Sequence, residues 1–291
     1  MKYTQLDIAP TISSLLGFEI PDKDGREIKE IGAYCANKNI DQILLIVVDG
    51  VGAALYKKLD GALAQLQALS DDGLFFEIHS LPPRITTPNI GTILTGYAPE
   101  HHLLYEVADT FYTPVRSILE IASESGIKSG IVIELLGAKA MLNRVDLAIG
   151  VENLHGIIDY DRRITDLALK AFSLEGIRLL MIHLRAVDNC AHHYAKAWDD
   201  LAFSAQTIDE NLERICRGLC RPTLILATSD HPIHVEKWAH LEDNNTDVPL
   251  IASYVNVASG PKKGEYRRRR STSASADAIG KSINLWFTRV R

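Results

Sequence analysis

Short aliphatic and β-branched runs alternate along this chain with longer amphipathic ones, the pattern of strands alternating with crossover helices. The pattern predicts strands at 43–48, 74–79, 128–133, 146–149, 178–184, 223–228 and 248–254. It predicts helices at 8–16, 52–69, 89–96, 114–124, 160–173, 195–218 and 274–287. The runs 43–48 and 223–228 are apolar almost throughout, as expected of central parallel strands covered on both faces. The expected architecture is a three-layer α/β/α sandwich with a mostly parallel central sheet. No repeat, linker or low-complexity boundary interrupts it, so residues 1–291 read as one domain.

Composition narrows the function classes. The 291 residues are 46% hydrophobic and 23% charged, enough for a full layered core. A net charge of −6 argues against a dedicated nucleic-acid binder. No run approaches the ~18 apolar residues that span a bilayer, and the first residues lack a signal-peptide pattern, so a cytoplasmic protein is expected. Cys35, Cys190, Cys216 and Cys220 read as reduced thiols. Cys216 and Cys220 fall in a predicted helix with no second Cys or His pair beside them, which favours packing over metal binding. The basic run Pro261–Arg270, followed by Ser271–Ser275, reads as a solvated loop in an otherwise acidic chain.

Candidate chemistry collects where strands end. Asp49 closes the run 42–48, Asp188 follows 179–184 with His192 four residues on, and Asp230 and His231 close 223–229. In an open α/β sheet such strand ends share one rim, where ligands bind. Carboxylates and imidazoles suit zinc and its neighbours, and two such ions clamp displacements at phosphorus. Pro88, with Thr86 and Thr87 before it, marks a helix start. A hydroxyl there faces backbone N–H groups that favour anions, although an N-cap threonine would look the same. A threonine hydroxyl needs an adjacent metal ion to become a useful nucleophile. His234 and His240 are alternative ligands beyond Asp230-His231, while His79, His155, His183 and His193 have no partner at suggestive spacing.

Four stretches resemble the alkaline phosphatase superfamily, closest to its type I phosphodiesterase/nucleotide pyrophosphatase branch and the phosphonoacetate-hydrolase relatives. Val47-Val-Asp-Gly50 resembles the first metal-binding aspartate. Thr86-Thr-Pro-Asn89, continuing through Leu94–His102, resembles the nucleophile segment, with the threonine two residues before proline. Val187-Asp-Asn-Cys-Ala-His192 matches an Asp-x-x-x-His ligand pair, and Thr228-Ser-Asp-His231 an Asp-His pair. His240 to Val248-Pro-Leu250 resembles the last histidine and the Val-Pro strand behind it. The resemblance implies an alkaline-phosphatase-like fold and two divalent ions, zinc first and manganese as a substitute. It implies one ion on Asp188, His192 and His240, and the other on Asp49, Asp230 and His231 with Thr86 beside it as nucleophile. The implied reaction is hydrolysis of a small phosphate ester or nucleotide through a phospho-threonine, with Asn89, Arg84 and Lys139 as candidates for holding phosphate.

The chain also departs from that pattern: Leu103-Leu104 follow His102 where Gly-Ile is usual, Pro232 stands where Gly is usual, and the interval from His240 to Val248 is long. There is no room for the inserted domain of cofactor-independent phosphoglycerate mutases, and the Cys/Ser-x-Pro-x-Arg motif of sulfatases is absent. A phosphonate or phosphomonoester hydrolase on the same core, and a binding or regulatory relative that has lost catalysis, are the rival readings. The complete ligand set argues against the second. Asp7–Gly17 resembles a segment that relatives carry after the last histidine, which predicts a circularly permuted order with helix 8–16 packing near strand 248–254.

Overall fold

A computed structural model describes residues 2–257 apart from 175, 243 and 244. The predicted helix 274–287 and the basic run 261–270 therefore lie outside the described residues. The seven strands are β1 Gln42–Val48, β2 Leu74–His79, β3 Ser129–Glu134, β4 Leu147–Val151, β5 Leu179–Leu184, β6 Thr223–Ser229 and β7 Asp247–Val255. They form one sheet in the order β2-β7-β6-β1-β5-β3-β4. The block from β6 to β4 is parallel, and β7 and β2 add an antiparallel edge. All seven fall where the apolar runs placed them.

The helices are α1 Ile8–Leu16, α2 Lys29–Cys35, α3 Ala53–Lys58, α4 Ala64–Asp71, α5 Thr86–Thr95 and α6 Pro99–His102. They continue with α7 Ile118–Glu124, α8 Leu135–Ala140, α9 Ile157–Ser173, α10 Ala186–His193 and α11 Trp198–Gly218. Every β1 residue is buried because its two faces serve two cores. Leu44, Ile46 and Val48 join a core with α3, α4, α9 and α11. Ile43, Leu45 and Val47 join the opposite core with α1, α2, α5 and α7. The result is the expected three-layer α/β/α sandwich. Among the described residues no helix is long and apolar enough to cross a membrane.

Helix boundaries differ from the pattern where local chemistry overrides it. The predicted helix 52–69 divides into α3 and α4 at a turn with Gly61 at φ +78°, and Asp209 restarts it by accepting the N–H groups of Gln65 and Leu66. The helix predicted at 89–96 begins at Thr86 and ends at Gly96 in the left-handed region. That predicted at 114–124 begins only after Ser117, whose hydroxyl accepts from Glu120 N–H. Helices α2, α6, α8 and α10, of four to eight residues, had no counterpart in the pattern, their one or two turns leaving little periodicity to read.

Helix α1 buries Ile8 and Ile12 in the core that also takes Val248, Leu250 and Ala252 of β7, with Leu15 and Leu16 partly buried at its margin. Its helical neighbours are α2, α5 and α7. The segment before it lies along β2, where His79 N–H donates to the Tyr3 carbonyl.

Candidate metal centre

Strand register assembles the site. Val48 of β1 pairs with Leu184 of β5 and Ser229 of β6, so the next residues, Asp49, Arg185 and Asp230, emerge side by side on one rim. Helix α10 starts at that rim and carries Asp188 and His192 on successive turns. Asp161 of α9 holds this start in place, accepting the N–H groups of Arg185 and Ala186 at 2.8 and 2.9 Å. Helix α5 begins on the opposite side with Thr86 in its first turn.

Three overlapping groups have donor atoms within 4.8 Å of one another: Asp188, His192 and His234; Asp49, His183 and Asp230; and Asp49, Asp188 and His231. The structure thus brings together six of the residues singled out in the sequence, with Thr86 Oγ1 3.3 Å from His231 Nε2. His240 is not among them. It is exposed, beside the ring of Trp238, and His234 stands with Asp188 and His192, its ring centroid 4.8 Å from that of His192. The loop from 232 to 238 returns His234 toward the rim, which spacing alone could not show.

His183 is the residue that sequence reading missed. It pairs in register with Val47 and lies fully buried, Nε2 3.5 Å from Asp49 Oδ2. Its signal was a histidine inside an otherwise apolar strand, one residue from the strand end, because a buried imidazole needs a partner.

The electrostatics of the site favour a bound cation. Asp49 and Asp230 are fully buried. Burial and the neighbouring Asp230 and Asp188 push the Asp49 carboxyl well above the usual range, and burial with Asp188 pushes Asp230 up to about 7. His231 Nδ1 lies 3.0 Å from the Pro232 carbonyl. A carbonyl only accepts, so Nδ1 carries the proton and Nε2 presents a lone pair. That lone pair lies 3.4 Å from both Asp49 Oδ1 and Asp230 Oδ2, an arrangement of acceptors that a cation reconciles. Asp49 Oδ1, Asp188 Oδ1, Asp230 Oδ2 and both His183 nitrogens are buried without a hydrogen-bond partner. This donor set fits divalent ions of the zinc type.

The candidates for holding phosphate have other roles or positions. Asn89 is fully buried, its Nδ2 donating to Gln5 Oε1, Ser80 Oγ and the Leu81 carbonyl. Arg84 has φ +58° and donates from Nε to the Ser80 carbonyl. Lys139 is exposed on α8, over a separate depression with Leu135 and Val151. Arg185 is instead the cation at the rim, with Nε 3.3 Å from Asp49 Oδ2.

Residues 43–130 match the family described as type I phosphodiesterase / nucleotide pyrophosphatase. Among solved structures, phosphonoacetate hydrolase from Sinorhizobium meliloti 1021 in complex with phosphonoacetate is similar at TM-score 0.53 and 16% identity. The match covers 66% of this chain and 56% of that one. Murine ectonucleotide pyrophosphatase / phosphodiesterase 5, in complex with AMP, matches at 0.52 and 15%, over 66% and 57%. A putative sulfatase from Bacteroides thetaiotaomicron matches at 0.55 and 12%, over 77% and 65%. The chain thus spans little more than half the length of the first two. No curated protein matches it in sequence. The resemblance read from the motifs is borne out over 43–130, and the mostly parallel α/β fold is one shared with these solved structures.

Proposed function

We propose that this chain is a metal-dependent phosphoric ester hydrolase of the phosphodiesterase/nucleotide pyrophosphatase type, working through a phospho-threonine on Thr86 at a two-metal site. The observation that carries this reading is the convergence of unpartnered, buried carboxylate and imidazole atoms beside the Thr86 hydroxyl. The family match over 43–130 supports the reaction class. Asp188, His192 and His234 would hold one ion; Asp49, Asp230 and His231 would hold the other next to Thr86, with His183 a further donor beside Asp49. Zinc suits these ligands and manganese is the natural substitute. Such ions, when bound, supply Lewis-acid stabilisation of the attacking and leaving oxygens.

The protein's own groups do the rest. Thr86 Oγ1 attacks phosphorus in line, forming a Thr–phosphate bond as the ester's alcohol leaves, and water then cleaves that bond. The N-terminal N–H groups of α5 face the phosphate anion. Arg185, braced by Asp49, adds a fixed positive charge at the rim. The substrate is a small phosphate ester or nucleotide.

The test combines metal analysis with turnover of bis-(p-nitrophenyl) phosphate and p-nitrophenyl phosphate. About two divalent ions per chain and faster turnover of the diester are expected. Thr86→Ala should cut turnover by several orders of magnitude with metal content retained. Thr87→Ala should stay active, and the reverse result would move the nucleophile by one residue. Preference for the monoester would favour a phosphomonoesterase, and a metal-free protein inert to both esters would make the chain a binding protein.

A further inference from the structure

A cavity of about 360 Å³ lies beside the rim, bounded by the start of α5, the ends of β3 and β5, α8 and the segment 104–117. Thr86, Thr87 and Arg185 stand in one wall, so the cavity begins at the candidate nucleophile. At ~30 Å³ for a water-sized group it has room for about a dozen such groups, more than a phosphate needs.

Its walls are chemically one-sided. Ile90, Leu94, Leu104, Ile131, Ile133 and Met141 supply most of the surface away from Thr86. Of the polar groups in the lining, Arg144, Glu120 and Ser117 are committed to one another. Arg144 Nε donates to Glu120 Oε1 at 2.7 Å and Arg144 Nη1 to the Thr110 carbonyl at 2.8 Å. Glu120 Oε2 accepts from the Ser117 N–H and hydroxyl, both at 2.7 Å. Among the described residues no Phe, Tyr or Trp side chain lines the cavity. A nucleobase placed there would find no aromatic face to stack on, and the polar groups that remain open to it, His183 and Glu134, come from the strand ends nearest the rim.

Resting on the hydrolase reading above, we infer that the cavity takes an aliphatic chain. The substrate is then a phosphate ester with an alkyl alcohol, its phosphorus at Thr86 and its chain along the Ile90–Leu94 face of α5. Unbranched carbon chains need no hydrogen bonds and gain from every methylene removed from water. The segment 104–117 that bounds the cavity exposes Tyr105, Phe111 and Tyr112, with Leu103 just before it, an apolar approach suited to such a molecule.

Binding of methyl-, butyl- and hexylphosphonate to the metal-reconstituted protein, measured by calorimetry, tests this without requiring turnover. Affinity should rise about two- to fourfold per added methylene. Val107→Trp, which fills the cavity from its surface side, should collapse the hexyl-to-methyl ratio toward one. Circular dichroism of that variant should match the parent, and Val107→Ala should keep a ratio well above one. Equal affinities along the series, no binding at all, or an unchanged ratio in Val107→Trp would overturn the inference, as would tighter binding of thymidine 5′-monophosphate than of hexylphosphonate. Absence of ester turnover together with an intact chain-length series would instead strike the hydrolase reading and leave the alkyl site standing.

Discussion

Gln5 Oε1 accepts from Asn89 Nδ2 at 2.8 Å while Gln5 Nε2 donates to the carbonyls of Ser229 and Asp230. One buried side chain near the start of the sequence therefore ties the turn that bears Asp230 and His231 to the helix that bears Thr86. Replacing it removes bonds from both. Gln5→Ala should lower stability by about 1–3 kcal/mol, the cost of stranding buried polar groups. It should also lower kcat roughly tenfold or more through loosened alignment. Chemical denaturation and steady-state kinetics read the two effects, and Gln5→Glu, which keeps the acceptors but not the donor, should not restore either.

His234 and His240 make opposite predictions. His234→Ala removes a donor from the group with Asp188 and His192, so affinity for one of the two ions should fall by more than about 100-fold. His240→Ala should retain both. Metal content after dialysis separates them, and loss in His240→Ala alone would return that histidine to the site.

Gly50 has φ +74°, and a Cβ there would stand 2.8 Å from both Cβ and Oδ1 of Asp188. Gly50→Ala forces a left-handed backbone, at about 1–2 kcal/mol, and displaces the Asp188 carboxylate of the candidate metal centre. Thermal unfolding should show the loss of stability, and metal analysis a reduced content even at temperatures where the fold is intact.

Asp161, which holds the start of α10, has its carboxyl pushed by burial up to about 7 from 3.8. A carboxyl that binds its proton more tightly when folded stabilises the fold fully below about 3.8. That contribution is lost as pH rises through 7. Asp161→Asn removes the titration, so the variant should gain on the parent protein as pH is raised across this window. Denaturation midpoints from acid to neutral pH measure the difference, and parallel profiles would contradict the assignment.

Much of this arrangement was legible because the signals were local. The strands carried short apolar runs, near-continuous in β1 and β6, and Asp49, Asp188 and Asp230-His231 stood at or just beyond strand ends. His234 was harder, because the path of the loop behind Pro232 depends on a remote group. Glu242 anchors that loop, accepting N–H groups from Ile233, Gly52 and Leu55. His183 escaped because nothing near it in sequence partners it; its neighbour Asp49 follows the adjacent strand β1. Asn89 read as a ligand for phosphate because its destiny was set by Gln5, 84 residues earlier.

Three buried carboxylates packed against one another make the centre an exchanger. Without an ion, protons neutralise the crowding, held by Asp49 and Asp230 above the usual carboxylate range. Stability drawn from those protons fades as pH rises through about 7. A divalent ion bound as proposed would take over the same atoms and release the protons, so its hold would strengthen over the interval in which theirs weakens. On the proposed function, acidity and metal supply would compete for one set of oxygens, and activity would require the second to win.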